Sequence, residues 1–295
     1  MAGDFNVQWI HGAEHCSQTT DPPLQVHRFD SDTFIIRQSK CSEPGTPGNI
    51  GPSFEAPFLY LLFGQTRALL LDTGASSSPQ LFPIGATVRQ ILQQHATAQG
   101  GNSLPLLVVH SHSHEDHFAG DGQFQDDPNT VVVQPSLAAV KSFFELPHWP
   151  DGQGLIDLGG RLVDVLPLPG HEASHIALYD RQTQLLLTGD TLYPGLLVVN
   201  DWAAYVKSAA RLKVFADTHP VSFVCGAHIE MTNEAGKWFG LGALFQPGEH
   251  VLQLPAQQIK MWNDALAAMG AHPQVKRLAE FIIFPAGNPF PPRNP

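Results

Sequence analysis

The densest chemistry in the chain is the run His110-Ser111-His112-Ser113-His114-Glu115-Asp116-His117. Imidazole nitrogens suit zinc and related borderline cations, and a carboxylate can complete such a site. His112 and His114 are two apart, so on an extended segment they point the same way. Asp116 and His117 follow where the chain is expected to turn into a helix, so they can face a second centre. One tetrahedral ion cannot easily take all four, which points to two metals. The competing reading is a solvated loop or an adventitious metal tag. An apolar strand leading into the run and an acid within it weigh against that. His110 stands at the strand end, outside the ligand pattern, and reads as a supporting residue.

The strand that must carry this run is Leu106–Val109, short and wholly apolar. Before it, 24–30 and 33–37 read as a hairpin, and 39–57, rich in Gly, Pro and Ser, as a long surface loop. Phe58–Phe63 and Ala68–Leu71 flank Gly64-Gln65-Thr66 as a second hairpin, and 87–98 has helical spacing. After the run come a strand at 130–133 and a helix over 135–146 with Pro135 in its first turn. Then 155–158 pairs with 161–168, and 176–179 with 184–188. A helix over 201–216 follows, with Asp201 as N-cap, and then a strand at 222–225. Residues 256–269 and 274–281 read as helices, and the tail from Pro285 as extended. The pattern ββ…βαβα then βββ…αβα gives two halves, roughly 1–150 and 151–295, around one core. That is a layered α/β arrangement in a single domain.

Composition narrows the function. The 295 residues carry 16 Lys+Arg against 27 Asp+Glu, a net charge of −11. Nucleic-acid binders need basic surface, so that class is disfavoured, and so is adhesion to anionic membranes. No apolar run approaches the roughly 18 residues of a membrane span, and the start shows no basic region followed by an apolar stretch. Cys16, Cys41 and Cys225 are odd in number and far apart in sequence, which reads as unpaired thiols in a reducing, cytoplasmic setting.

His112-x-His114-x-Asp116-His117 matches the HxHxDH signature of the metallo-β-lactamase superfamily, and further motifs resembling that family follow its order. These are Leu71-Asp72-Thr73-Gly74, Pro169-Gly170-His171, Thr188-Gly189-Asp190-Thr191 and Gly226-Ala227-His228. The resemblance implies an αββα sandwich of the α/β class covering nearly all the chain. It implies one zinc held by His112, His114 and His171, and another by Asp116, His117 and His228, with Asp190 bridging. Iron or manganese remains open in their place. Asp72 would hydrogen-bond within the motif loop without ligating, and His175 would support the following strand.

Two cations about 3.5–4 Å apart can share a bridging hydroxide and polarise the bond under attack. Asp116 would orient that nucleophile, and Tyr193, three residues after Asp190, would donate to the oxyanion or leaving group or simply wall the pocket. The expected reaction is hydrolysis of a small-molecule ester, lactone, thioester or amide. Alternatives of the same fold are a mononuclear-iron oxidoreductase similar to persulfide dioxygenases and a weak β-lactamase. Basic residues after His228 are few, Lys237, Lys260, Lys276 and Arg277 among them, which weakens a glutathione-thioester reading. Phe118, Trp149, Trp238, Phe239 and Phe245 are candidate apolar walls, or fill core or the interface of a homodimer.

Overall fold

The computed structural model describes residues 3–46 and 49–292. Its first half contains β1 (Leu24–Arg28), β2 (Thr33–Gln38), the small hairpin β3 (Gly45–Thr46) and β4 (Asn49–Ile50), then β5 (Phe58–Phe63) and β6 (Ala68–Leu71). Helix α1 (Ile84–Gln99), β7 (Leu106–Val109), the short α2 (Glu115–Phe118), β8 (Thr130–Val132) and α3 (Leu137–Phe143) complete it. The second half contains β9 (Gly154–Asp157), β10 (Leu162–Pro167), β11 (Ile176–Asp180), β12 (Leu185–Gly189) and β13 (Leu196–Val199). It continues through α4 (Trp202–Thr218), β14 (Phe223–Gly226), β15 (Gln253–Pro255), α5 (Gln257–Met269), β16 (Lys276–Arg277) and β17 (Ile282–Pro285).

Two six-stranded sheets form, in the orders β1-β2-β5-β6-β7-β8 and β15-β14-β12-β11-β10-β9, with a smaller sheet β13-β17-β16. Strand alternation explains the layering. Along β5, Phe58, Tyr60 and Leu62 face the second sheet, where they meet Val163, Val165, Leu178 and Leu187. Leu59, Leu61 and Phe63 face outward onto Val88, Ile91 and Leu92 of α1. Ala177, Tyr179 and Leu186 of the second sheet likewise face Tyr205, Leu212, Trp262 and Leu266 on α4 and α5. Both sheets are therefore apolar on two faces and covered by helices outside, the αββα sandwich of the α/β class.

Strand direction then places the chemistry. β6 and β7 are parallel, and so are β12 and β14. β10 and β12 both run antiparallel to β11, so they run parallel to each other. The loops leaving β6, β7, β10, β12 and β14 thus gather at one edge of the sandwich, and they carry Asp72, residues 110–117, His171, Asp190 and His228.

Local readings need correction. Segment 274–281 is not helical: Lys276 and Arg277 pair with Ile283 and Ile282, and Leu278 N donating to Phe281 O closes the turn. Pairing with a distant strand overrides the local pattern there. Helix α3 begins at Leu137 with Ser136 as its cap, so Pro135 precedes the helix. Cys16 and Cys41 form a disulfide with Cα atoms 5.0 Å apart, and only Cys225 is free. The fold brings together two cysteines that are far apart in sequence, and the argument for a reducing compartment loses its support. No helix among the described residues is long and apolar enough to cross a membrane.

Candidate metal centre

Two clusters of possible ligands meet at that edge, His112, His114 and His171 in one and Asp116, His117, Asp190 and His228 in the other. In the first, His114 Nδ1 lies 2.9 Å from His112 Nε2 and 3.0 Å from His171 Nε2. In the second, Asp116 Oδ2 is 3.1 Å from His117 Nε2 and 3.4 Å from His228 Nε2. Ligands around a tetrahedral ion at ~2.0–2.1 Å are about 3.3–3.4 Å from one another, so both clusters have the span of a metal shell. Asp190 faces both. Its Oδ1 is 3.5 Å from His117 Nε2 and 3.2 Å from His228 Nε2. Its Oδ2 is 4.0 Å from His112 Nε2 and 3.7 Å from His171 Nε2.

The outer ring nitrogens decide what the inner ones can do. His171 Nδ1 donates to Val198 O at 2.8 Å, and His228 Nδ1 to Glu55 O at 2.8 Å. His117 Nδ1 donates to Asp72 Oδ2 at 2.8 Å. Ser111 Oγ donates to Asp72 Oδ2 and lies 3.1 Å from His112 Nδ1. With protons held on Nδ1, the Nε2 atoms present lone pairs. Three buried atoms at the centre, His117 Nε2, His228 Nε2 and Asp190 Oδ1, have no hydrogen-bond partner. Buried polar atoms without partners are rare and costly, and a cation between them satisfies all three. The donor set therefore fits a bound metal.

Electrostatics agree. Burial, reinforced by His117 and other histidines, holds His112 well below the usual imidazole value. Burial also lowers His171 against the pull of Asp190. Burial opposes charge on Asp190, yet His228 and His117 outweigh it and hold its carboxyl well below the usual range. His112 and His171 are thus held neutral and Asp190 ionised, the forms that ligation requires. Burial at His117 and His228, in contrast, is outweighed by Asp116, Asp190 and, for His117, Asp72, which raise both imidazoles well above the usual value, so that a metal there would take the place of protons.

The supporting residues are tightly built. Asp72 adopts a left-handed backbone, φ 66°, at the end of β6. From there it accepts from Ser111 N at 2.7 Å as well as from Ser111 Oγ and His117 Nδ1. Asp72→Ala is expected to weaken metal binding at the His117 cluster by about 10–100-fold, the usual cost of removing such a support. Chelator competition measures it, and unchanged affinity would show that Asp72 only shapes the turn. Gly170 has φ 143°, and a Cβ there would lie 2.5 Å from Tyr205 Cα. Only glycine lets the His171 loop pass so close to α4. His175 accepts from Asp190 N at 3.2 Å and so fixes the backbone of the shared carboxylate. His110 points elsewhere, to Val133 O and Asp121.

Tyr193 stands beside the second cluster. Its hydroxyl lies 2.8 Å from Leu196 O and 3.1 Å from Glu230 Oε2, and its ring packs beside His228. Its proton is committed to those acceptors, so it serves as a wall behind His228. Trp238 is buried against Met231 and Ile282, and Trp149 packs on the core between the sheets. Sequence reasoning missed Glu55, whose carbonyl orients His228. Burial, then the carboxylates of Asp116, Glu230 and Asp190, push its side chain up to about 8 against the pull of His228. It lies in a stretch that reads as surface loop, and nothing in its spacing marks it.

Residues 54–228 match the metallo-beta-lactamase superfamily, more than half of the chain. The chain is 27% identical over 243 residues to a Homo sapiens protein named acyl-coenzyme A thioesterase MBLAC2, covering 69% of this chain and 80% of that one. It is 27% identical over 182 residues to a Yersinia enterocolitica hydroxyacylglutathione hydrolase, covering 60% of this chain and 63% of that one. The chain thus spans less than two thirds of the second relative. Among solved structures, the metallo-beta-lactamase FIM-1 of Pseudomonas aeruginosa in its mono-zinc form superposes with a TM-score of 0.54 at 13% identity, covering 87% of this chain and all of that one. The metallo-beta-lactamase DIM-1 gives 0.53 at 14%, covering 84% and 99%. These structures share the fold. With this match, hydrolases among its relatives and a His/Asp constellation built for cations, the chain belongs to the metallo-beta-lactamase superfamily, among its metal-dependent hydrolases.

Proposed function

We propose that the protein is a dinuclear zinc hydrolase of small acyl compounds, acyl thioesters foremost. The observation that carries the reading is the set of buried, partnerless atoms His117 Nε2, His228 Nε2 and Asp190 Oδ1, with Asp190 presenting one oxygen to each cluster. His112, His114 and His171 would hold one ion, Asp116, His117 and His228 the other, and Asp190 both. Zinc bound there supplies an acidified water as nucleophile and polarises the acyl carbonyl. Asp116 would orient that water, while Asp72, Val198 O and Glu55 O keep the imidazoles in register.

The preference for thioesters rests on the relatives, one named for acyl-coenzyme A and the other for hydroxyacylglutathione, both acyl groups on a thiol. Glutathione conjugates rank lower here, because the basic residues that follow His228 are few and three of them are engaged. Lys237 pairs with Glu234, Lys260 with Asp264, and Arg277 with the carbonyls of Gly236 and Pro292.

The test is elemental analysis of protein expressed without added metal, followed by a screen of acyl thioesters, aryl esters, lactones and a β-lactam. The expected result is about two zinc per chain, with thioester turnover that a chelator abolishes and zinc restores. About one iron per chain with no hydrolysis would overturn the reading in favour of an iron oxidoreductase of this fold.

A further inference from the structure

A buried lysine lies beside the centre, and the chemistry above does not use it. Lys40 is 3% exposed, two residues beyond β2. Transfer of an ammonium into the interior costs several kcal/mol unless its surroundings compensate. Burial pulls Lys40 down to about 8, helped by Arg37 and opposed by Glu249, Glu230 and Glu55. Its stem is covered by the N-terminal segment: a Cβ at Gly12 would lie 3.1 Å from Lys40 Cβ. The next residue, Cys41, is bonded to Cys16.

Lys40 grips one short turn at two points. Its Nζ donates to Phe54 O at 2.6 Å, and its own carbonyl accepts from the buried Ser53 Oγ at 2.6 Å. Ser53 and Phe54 belong to the turn Pro52–Phe54, which Glu55 N and Ala56 N close onto Pro52 O and Ser53 O. The following carbonyl, Glu55 O, accepts from His228 Nδ1. Phe58 N then donates to Ala227 O at 2.7 Å. A continuous path thus runs from Lys40, through the 53–55 turn, to the ring of His228. No comparable path leads from Lys40 to His112, His114 or His171 among the described hydrogen bonds.

We propose that Lys40 is a positioning residue for the second metal site: it braces the turn whose Glu55 carbonyl fixes the tautomer and direction of His228. The inference rests on the dinuclear reading above and adds to it a residue outside the ligand motifs. It gives the buried cation a task that an apolar side chain could not perform. A serine partner and a carbonyl partner together hold the turn in one position.

The test is zinc affinity by chelator competition on full-length protein in two backgrounds. His114→Ala leaves the Asp116–His117–His228 cluster, and Asp116→Ala leaves the His112–His114–His171 cluster. Lys40→Met is expected to weaken zinc about 10–100-fold in the first background and not in the second. Ser53→Ala, which keeps the cation, is expected to give a smaller loss in the same background, and it serves if Lys40→Met does not fold. Lys40→Arg, which keeps a donor, is expected to recover part of the affinity. Equal losses at both clusters, or none in the first background, would overturn the proposal. So would unchanged affinities with a raised KM, which would make Lys40 a substrate contact. If the parent protein takes up no second zinc, the dinuclear reading itself has failed. That outcome is distinct from a second zinc that ignores Lys40.

Discussion

Asp190→Ala is expected to lower hydrolysis by roughly three orders of magnitude while the fold stays intact, on the scale of losing an electrostatic group at a reacting centre. Asp190 faces both clusters, with Oδ1 toward His117 and His228 and Oδ2 toward His112 and His171. Its removal leaves each cluster short of one anionic donor and separates two ions that it would hold together. The scaffold should tolerate the change. The backbone NH of residue 190 still donates to His175 Nε2, and Gly189 O still accepts from Ala227 N. Asp190→Asn sharpens the test, since it preserves shape and one carbonyl oxygen but puts NH2 against one cluster. Zinc content should fall in both variants while far-UV circular dichroism is unchanged. Full turnover in Asp190→Ala with two zinc retained would remove the shared-carboxylate mechanism.

What the sequence made legible follows from how local each signal is. Strands 58–63, 68–71 and 106–109 are apolar runs that can only be buried, and their ends announce the loops of the centre. The His112–His117 run needs no tertiary information to be noticed, because its candidate ligands lie within six residues of one another. Asp190 and His228 stand alone in the sequence, and only the resemblance pointed to them; strand order then brings them to the same edge. The remaining features depend on distant partners. Leu196–Val199 is a strand because Ile282–Pro285 lies beside it, and Lys276–Arg277 gains its pairing from the same place. The disulfide joins positions 25 residues apart that flank the β1–β2 hairpin, and its pairing depends on how that hairpin brings its two ends together. Lys40 and Arg37 look like surface cations, yet both are buried. The donor of Tyr193 is spent on Leu196 O and Glu230, which its spacing from Asp190 does not reveal.

The largest stability effect should come from the far end of the sandwich, where one guanidinium joins the two halves. Arg161, between β9 and β10, is 2% exposed. Its Nε and Nη2 donate to Asp180 Oδ1 and Oδ2 at 2.9 and 2.7 Å. Its remaining bonds cross to the first sheet, to Thr33 Oγ1 at 2.8 Å and to the carbonyls of Asp32 and Phe63 at 2.7 and 3.1 Å. Arg161→Met is expected to cost about 3–5 kcal/mol, because it strands Asp180 in the interior without its cation. Heat denaturation should report a Tm lower by roughly 10 °C. Arg161→Lys should recover little, since a single ammonium cannot reproduce five directed bonds.

The effect has a pH signature. Burial opposes charge on Asp180, but Arg161 and Thr183 outweigh it and hold its carboxyl below the usual value. A depressed carboxylate contributes stability that is present above its unfolded value, about 4, and is lost as pH falls through the folded one. The stability gap between the parent protein and Arg161→Met should therefore be widest near neutrality and narrow below about pH 4. Metal content of the folded variant should match that of the parent, because Arg161 lies beside the turns opposite the metal loops. A variant that lost its metals at temperatures where it remains folded would show that the two ends of the sandwich are coupled, and that Arg161 supports the centre as well as the join.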